Sequence, residues 1–494
     1  QSGDTLKLRF AELLQKDGSI YTANLRTAHS ADTYILKGNS MEEWQPTFTY
    51  HGFRFVELTG FREKPSLSDF EGQVIYDEME TTGNLETSDP MINRIYKNAY
   101  WGIRGNYRGM PTDCPQRDER MGWLGDRAVG SQGESYIFNN HLLYAKWLDD
   151  IEQAQKENGA VPDVAPNYWD VCTDNMTWPG AYLIIANMLY DQFGEKDKYM
   201  VDHIMTKDNF GDWCMPPESP ELIHSKDPSR ITEAAVLGTT FYYYLSNLMV
   251  RFAALAGYPQ DADNFRKESE LVKEAFNSKY LHTELGYYSN NTVTANILSL
   301  RFGMVPEAYK EVVFRNIVEK TMKDFNGHVS TGLVGIQQLM RGLSDYGRTD
   351  LAYRIATNRT YPSWGYMVDN GATTIWELWN GNTADPAMNS ANHVMLLGDL
   401  IVWAYLGGIS NAPGSVGFKQ IQLKPYPVDG LDFVNTSFHS IYGEVRSHWK
   451  KEDGSFCWDI SVPCNTSALV YVPVADKSID PKEKKRIVGE GGTF

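Results

Sequence analysis

Between residues 113 and 126 the chain packs four carboxylates and two arginines into fourteen positions. The run reads Asp113-Cys114-Pro115-Gln116-Arg117-Asp118-Glu119-Arg120-Met121-Gly122-Trp123-Leu124-Gly125-Asp126. Pro115, Gly122 and Gly125 prevent a regular helix there. A loop this dense in charge can hold one carboxylate ionised against an arginine. It can hold another beside an apolar ring such as Trp123, where desolvation raises its pKa. General acid–base chemistry needs such an unequal pair. The same residues also make a solvated loop of local salt bridges, and the run alone does not decide between the two.

A second carboxylate, Glu377, sits between Trp376 and Trp379, a short way after Trp364. It is either a helix-surface residue beside core aromatics or a site carboxylate walled by rings that stack on sugars. His393 follows in Asn389-Ser390-Ala391-Asn392-His393, and a lone histidine is more often structural than catalytic. Two further segments, Val161-Pro162-Asp163 and Phe210-Gly211-Asp212-Trp213, place an acid near a loop. Asp212-Trp213 reads equally as a pocket pair and as a helix cap with a core tryptophan. Metal-ligand spacings are absent: no His-x-x-x-His, cysteine cluster or EF-hand loop occurs, so no metal is expected. Phosphate loops and Gly-x-Ser-x-Gly are absent too. Two well-separated carboxylates among tryptophans and tyrosines point to glycoside cleavage by an acid and a base.

The elements that must position these residues fall into three stretches. Residues 1–82 alternate in the manner of strands, at 6–11, 32–36, 44–50 and 53–58, with turns at Asp17-Gly18 and Lys37-Gly38. They are too few for a closed sandwich of their own. From about 84 to 410 the period becomes helical, with helices expected over 89–104, 126–156, 178–193, 231–257, 261–278, 306–322, 332–343, 347–357 and 391–408. No strand run of comparable strength interrupts them, so alternating βαβ units are not expected. No fixed repeat is visible, which argues against a solenoid and for helical hairpins closed into a toroid. After Pro413-Gly414 strands return, with a hairpin turn at Glu452-Asp453-Gly454. The net charge is −17, from 46 Lys and Arg against 63 Asp and Glu, which leaves no electrostatic footprint for nucleic acid. No apolar run reaches the roughly 18 residues of a membrane span. The five cysteines are odd in number and form no Cys-x-x-Cys pair, so no disulfide framework is implied. The chain begins at Gln1 without an initiator methionine and reads as a processed form or fragment.

The run from 113 to 126 closely resembles the D-C-P-Q-R-[DE]-E-R-x-G-W-x-G-D signature of the bacterial α-L-rhamnosidases, glycoside hydrolase family 78. The resemblance continues through 48–54, 161–163, 210–213, 328–332, 361–380 and 389–393, in the family's order, over essentially the whole chain. It implies an (α/α)6 barrel over 83–411, flanked by antiparallel β-sandwich domains over 1–82, N-terminally incomplete, and 412–494. The implied activity is release of terminal α-L-rhamnose with inversion and without a cofactor. The carried-over general acid is Glu119 and the base Glu377, with carboxyl groups about 6.5–9.5 Å apart. Asp113, Arg117 and Asp126 would hold sugar hydroxyls or orient the acid. Trp123, Trp178, Asp212, Trp213, Trp364, Trp376 and His393 would shape the pocket, Trp364 and Trp376 meeting the C5 methyl group. Many members carry Trp-Gly-Asp-Ala where this chain reads Trp178-Pro179-Gly180-Ala181, so one aspartate is missing. The family's further N-terminal β domains are not in this chain. The expected partner is a rhamnose-containing carbohydrate; nucleic acid and membrane are not expected. An inactive rhamnoside-binding relic and a barrel enzyme for another deoxy-sugar or a uronic acid are the alternatives. Retention of both glutamates weighs against the first, and the lack of cationic contacts beyond Arg117 and Arg120 weighs against a uronic acid.

Overall fold

The structure is a computed structural model that describes residues 2–38, 41–173, 175–195, 210–383, 389–397, 402–473 and 490–493. The alternation at 6–11 forms β1 (Thr5–Ala11), which buries Phe10 and Ala11. A small ribbon of β2 (Leu13–Leu14) and β3 (Ile20–Tyr21) follows. β4 (Ala31–Ile35) and β5 (Phe55–Thr59) flank β1 in an antiparallel three-stranded sheet. The strand expected over 44–50 does not form; that stretch runs without regular structure. β6 (Gly83–Thr87) leaves this unit and pairs with a strand near the other end of the chain.

Asp89 starts the helices: its carboxylate accepts the Met91 amide at 2.8 Å, and Pro90 stands at the first helical position, where no donor is lost. α1 (Pro90–Gly105) turns Ile92, Ile95, Ala99 and Ile103 inward at helical spacing. The single helix expected over 126–156 is three: α2 (Leu124–Ala128), α3 (Ser131–Ile137) and α4 (His141–Ala154). The second break has a polar cause, because buried Asn140 donates to the Tyr107 hydroxyl at 3.1 Å. There follow α5 (Ala181–Phe193), α6 (Ala234–Leu255) and α7 (Pro259–Tyr280). A two-stranded ribbon, β7 (Leu281–His282) with β8 (Tyr287–Tyr288), leads to α8 (Val293–Arg301), which periodicity had not shown. α9 (Lys310–Lys323), α10 (Leu333–Asp345), α11 (Thr349–Thr357) and the short α12 (Trp364–Asp369) complete the set. Sequential neighbours pack on one another, α4 on α5, α6 on α7, α8 on α9 and α10 on α11. The helix expected over 391–408 is not present at 391–397, which makes bends and turns; 398–401 lie outside the described residues, and Val402–Leu406 form a π-helical turn.

The C-terminal strands are β9 (Ile409–Asn411), β10 (Gln420–Leu423), β11 (Phe433–Ser440), β12 (Gly443–Glu452), β13 (Ser455–Val470) and β14 (Glu490–Thr493). With β6 they form one seven-stranded sheet, in which β6, β11, β12, β13, β10 and β9 are successive neighbours and β14 pairs with β13. The expected hairpin at 452–454 is there, with Glu452 opposite Ser455. The expectation of a purely antiparallel unit is corrected by β10, which runs parallel to β13. β13 is long enough to pair with β12 through 455–461 and with β10 through 467–470. Trp449 is buried beneath this sheet and donates to the Leu406 carbonyl at 2.7 Å, tying the sheet to the helical block.

Candidate active site

The run from 113 to 126 is an irregular loop that enters α2, and its glycines explain how it packs. A Cβ at Gly122 would stand 2.2 Å from the Ala165 carbonyl oxygen, and one at Gly125 would stand 2.4 Å from the Trp178 ring. Both positions are therefore closed to any side chain, which lets the loop lie flat on 165 and 178. Trp178 is held in turn. Asp163 accepts from Asn175 Nδ2 at 2.7 Å, and Asn175 Oδ1 accepts the Trp178 amide at 2.9 Å. Trp178 Nε1 then donates to Asp126 Oδ2 at 3.2 Å. The Asp163–Asn175 pair thus orders the segment that carries Trp178.

Arg117 is 1% exposed and sits between the two glutamates. Its Nε donates to Glu119 Oε2 at 2.8 Å, its Nη1 to Glu377 Oε2 at 3.1 Å, and its Nη2 to Glu377 Oε1 at 3.3 Å. Nη2 also lies 2.5 Å from Glu119 Oε2. The nearest oxygens of the two carboxylates are therefore within about 6 Å of each other. This bound is for the nearest oxygens, which one guanidinium bridges, whereas the about 6.5–9.5 Å expectation is for the carboxyl groups as wholes. Glu119 Oε1 accepts from Trp123 Nε1 at 2.9 Å. Glu377 Oε2 also accepts the Ser390 amide at 2.8 Å, so the turn at 389–393 carries part of the site. Burial pushes the Glu377 carboxyl up, opposed by Arg117.

Asp113 and Asp126 line the same pocket. Met121 N donates to Asp113 Oδ1 at 2.7 Å, while Oδ2, fully buried, has no hydrogen-bond partner among the described residues. His393 Nε2 lies 3.7 Å from Asp113 Oδ2 and 3.9 Å from Asp126 Oδ1, too long for direct bonds. His393 Nδ1 accepts the Met395 amide at 3.3 Å, so a neutral ring carries its proton on Nε2, facing the two aspartates. Burial pushes His393 well below the usual imidazole range, which keeps it neutral. Burial, reinforced by the charge of Glu119, pushes Asp126 up to about 7 and Asp113 well above the carboxylate range. Asp113, Cys114 and Glu119 also come within 4.8 Å of one another through their ligand atoms. Arg117 already occupies the oxygen of Glu119, so a cation competes with a guanidinium there.

Other expected pocket residues are placed differently. Asp212 accepts the Gly332 amide at 2.7 Å, the Val334 amide at 2.9 Å and the Gly335 amide at 3.1 Å, together with the Thr294 hydroxyl. It is a cap for α10, with its oxygens spent on that helix end. Trp213 is half-buried against His224, and its carbonyl accepts the Leu333 amide at 2.7 Å. Trp364 is buried: its Nε1 donates to the Leu396 carbonyl at 2.8 Å and its ring packs edge-on to Trp379. Trp376 is buried as well, against Gly381. Phe210 packs edge-on to Trp123 and tilted on Trp178, completing an aromatic wall beside Asp126.

Two residues of the N-terminal unit reach this centre without any signal in their local sequence. Glu12, 3% exposed, accepts from Asn24 Nδ2 at 3.1 Å and from the Ala391 amide at 3.0 Å, next to the amide that holds Glu377. Burial pushes it up to about 7. Arg26 Nη1 lies 3.1 Å from Glu119 Oε2. The seam is close: a Cβ at Gly52 would stand 2.9 Å from Pro115, and Arg120 donates to the Tyr50 carbonyl at 3.0 Å while covering its ring. Asp118 turns to Thr27 across this seam rather than to the pocket.

Comparison with known proteins agrees along the whole chain. The family model for the bacterial alpha-L-rhamnosidase 6 hairpin glycosidase domain matches residues 80–407. The concanavalin-like domain of the same proteins matches 1–76, and their C-terminal domain matches 408–486. An alpha-L-rhamnosidase of Streptomyces avermitilis is 36% identical over 96% of this chain and 46% of its own length. One from Formosa agariphila is 33% identical over 95% of this chain and 53% of its own. The chain thus spans about half the length of these curated relatives. Among solved structures, the Streptomyces avermitilis alpha-L-rhamnosidase complexed with L-rhamnose superposes with a TM-score of 0.90 at 32% identity, covering 100% of this chain and 50% of that one.

Proposed function

The chain belongs to the bacterial α-L-rhamnosidase family, and from that premise we propose that it hydrolyses terminal α-L-rhamnosides with inversion, Glu119 as acid and Glu377 as base. The observation that carries this reading is Arg117, which joins two carboxylates from distant parts of the chain in one buried centre. The helical block is read as an (α/α)6 barrel over 83–411, with β units over 1–82 and 412–494 flanking it.

In this reading the sugar enters with its glycosidic oxygen toward Glu119 and its opposite face toward Glu377. Glu119, held through Trp123 and Arg117, protonates the departing oxygen. Glu377 is fixed by Arg117 and the Ser390 amide, and takes a proton from the water that attacks the anomeric carbon. Developing positive charge at that carbon is stabilised by the nearby carboxylates. The spacing of His393 from Asp113 and Asp126 suits a sugar hydroxyl that bridges them, donating to an aspartate and accepting from Nε2. Asp113 Oδ2, buried with no hydrogen-bond partner among the described residues, is the atom such a hydroxyl satisfies. Trp123 and Phe210, both part-exposed, give the apolar surface for the ring face, with Trp178 buried behind them. A methyl group is worth only about 1–3 kcal/mol of discrimination, so the hydroxyl contacts do most of the selecting. The reaction asks for no cofactor, since acid, base and water account for every proton. A panel of nitrophenyl glycosides tests the reading: cleavage of the α-L-rhamnoside ahead of α-L-fucoside, β-D-glucoside and β-D-glucuronide is expected. Equal or greater cleavage of any of these would overturn it.

A further inference from the structure

Arg26 stands at a backbone position made for glycine. The turn formed by residues 25–28 is closed by the Ala28 amide on the Leu25 carbonyl at 3.0 Å. Arg26, its first central residue, has φ 55° and ψ −117°. That is the first corner of a II′-type turn, which glycine adopts freely and a residue with a Cβ adopts under strain. The side chain gives little stability in return. It is 30% exposed, and its ion pair with Glu119 is of the partly solvated kind that contributes little to folding. A strained backbone that aims one side chain at one carboxylate is the pattern of a functional constraint.

The surroundings fix the aim. Two residues before Arg26, Asn24 is buried and donates to Glu12. One residue after, the Thr27 amide donates to Asp118 at 3.3 Å and its hydroxyl donates to the same oxygen. The turn is thus pinned on both sides to the segments that carry the site. Arg117 divides its guanidinium between Glu119 and Glu377, whereas the ion pair of Arg26 is with Glu119. Two cations from different elements therefore hold one carboxylate oxygen from two directions.

We infer that Arg26 is a positioning residue: the N-terminal β unit supplies it to set the rotamer of Glu119 against the pull of Arg117, so that the acid faces the leaving oxygen. The inference rests on the reading of Glu119 as the acid. It makes the N-terminal unit a working wall of the centre rather than an appendage. Arg26 touches no reacting atom; its effect passes through Glu119 and scales with how much the leaving group needs a proton.

The test uses Arg26→Gly and Arg26→Lys in the full chain, with methyl α-L-rhamnoside as a poor leaving group and 4-nitrophenyl α-L-rhamnoside as a good one. Thermal unfolding is recorded for each protein. Arg26→Gly relieves the turn, so it is expected to unfold at the same or a higher temperature. Its kcat on the methyl rhamnoside is expected to fall about 10- to 100-fold with KM little changed, as for a misplaced catalytic group, and its kcat on the nitrophenyl rhamnoside by less than about threefold. Arg26→Lys restores part of the loss. Equal losses on both substrates, no loss on either, or a lower unfolding temperature with kinetics intact would each overturn the inference. Failure of the parent reading looks different. A wild type that cleaves neither rhamnoside, or a Glu119→Gln variant that treats both leaving groups alike, removes the acid assignment itself and the inference with it.

Discussion

Replacing Gly125 by alanine should damage both stability and turnover, and the structure sets the size of the effect. The added Cβ would lie 2.4, 2.5 and 2.8 Å from Cδ2, Cε2 and Cγ of Trp178, where ordinary contacts begin at 3.4 Å. The Trp178 ring, 2% exposed, must therefore retreat by about 1 Å in a close-packed interior. Alanine in a helix is intrinsically favoured over glycine by about 0.5–1 kcal/mol, so any loss comes from the clash. Overpacking of this kind costs about 1–3 kcal/mol. The retreat also pulls Nε1 from Asp126 Oδ2, now 3.2 Å away, beyond bonding range. Asp126, already pushed up to about 7 by burial, loses one of the donors that favour its ionised form. Displacement of this size in a reaction centre costs about 100-fold in kcat/KM. The assay is thermal unfolding together with kcat/KM on an aryl α-L-rhamnoside. Gly72→Ala serves as control, since a Cβ there meets nothing within 4 Å. If Gly125→Ala matched Gly72→Ala in both measurements, the packing argument for the Gly-x-x-Gly spacing in this loop would be refuted.

Glu12→Gln should change how stability depends on pH. Burial raises Glu12 from 4.5 to about 7, so the folded chain keeps a proton that the unfolded chain releases, and the wild type loses stability as pH rises through that window. The variant lacks this loss. Denaturant unfolding at a series of pH values should show the difference moving in its favour by up to about 3 kcal/mol between about pH 4 and pH 8, and a pH-independent difference would contradict the buried, proton-holding Glu12. Glu119→Gln should lose about 100-fold or more on alkyl rhamnosides yet keep measurable turnover on nitrophenyl rhamnoside, while Glu377→Gln is crippled on both. Steady-state kinetics on the two substrates checks this, and equal losses throughout would reverse or void the two roles.

The sequence showed the local parts of this molecule and missed the long-range ones. Amphipathic periodicity places α1, α6, α7, α10 and α11 within a few residues, because their inward faces repeat along an uninterrupted segment. It merges α2, α3 and α4, whose second interruption is a buried asparagine bond rather than a proline. It misses α8, whose residues from Val293 to Leu300 are buried all round and so show no polar face. In the site, the run at 113–126 stands out because its charge density and its glycines are both local. The pairing of Glu377 with that run, 260 residues away from Arg117, follows from the family resemblance and not from spacing. Asp212 reads as either a pocket residue or a cap in sequence, and the helix that it caps, 120 residues downstream, leaves no local mark. Glu12 and Arg26 carry no sequence signal at all, since their partners lie 379 and 93 residues away. The positive φ of Arg26 becomes visible only once the turn is built.

The central claim is that Glu119 and Glu377 act as an acid and a base on opposite faces of an α-L-rhamnoside, and proton NMR of the first product tests it most directly. With 4-nitrophenyl α-L-rhamnoside and enough enzyme to outrun mutarotation, the β-anomer of L-rhamnose should form first and then decay toward the equilibrium mixture. First appearance of the α-anomer would contradict the account, because it would mean that a carboxylate, and not a water, had attacked the anomeric carbon.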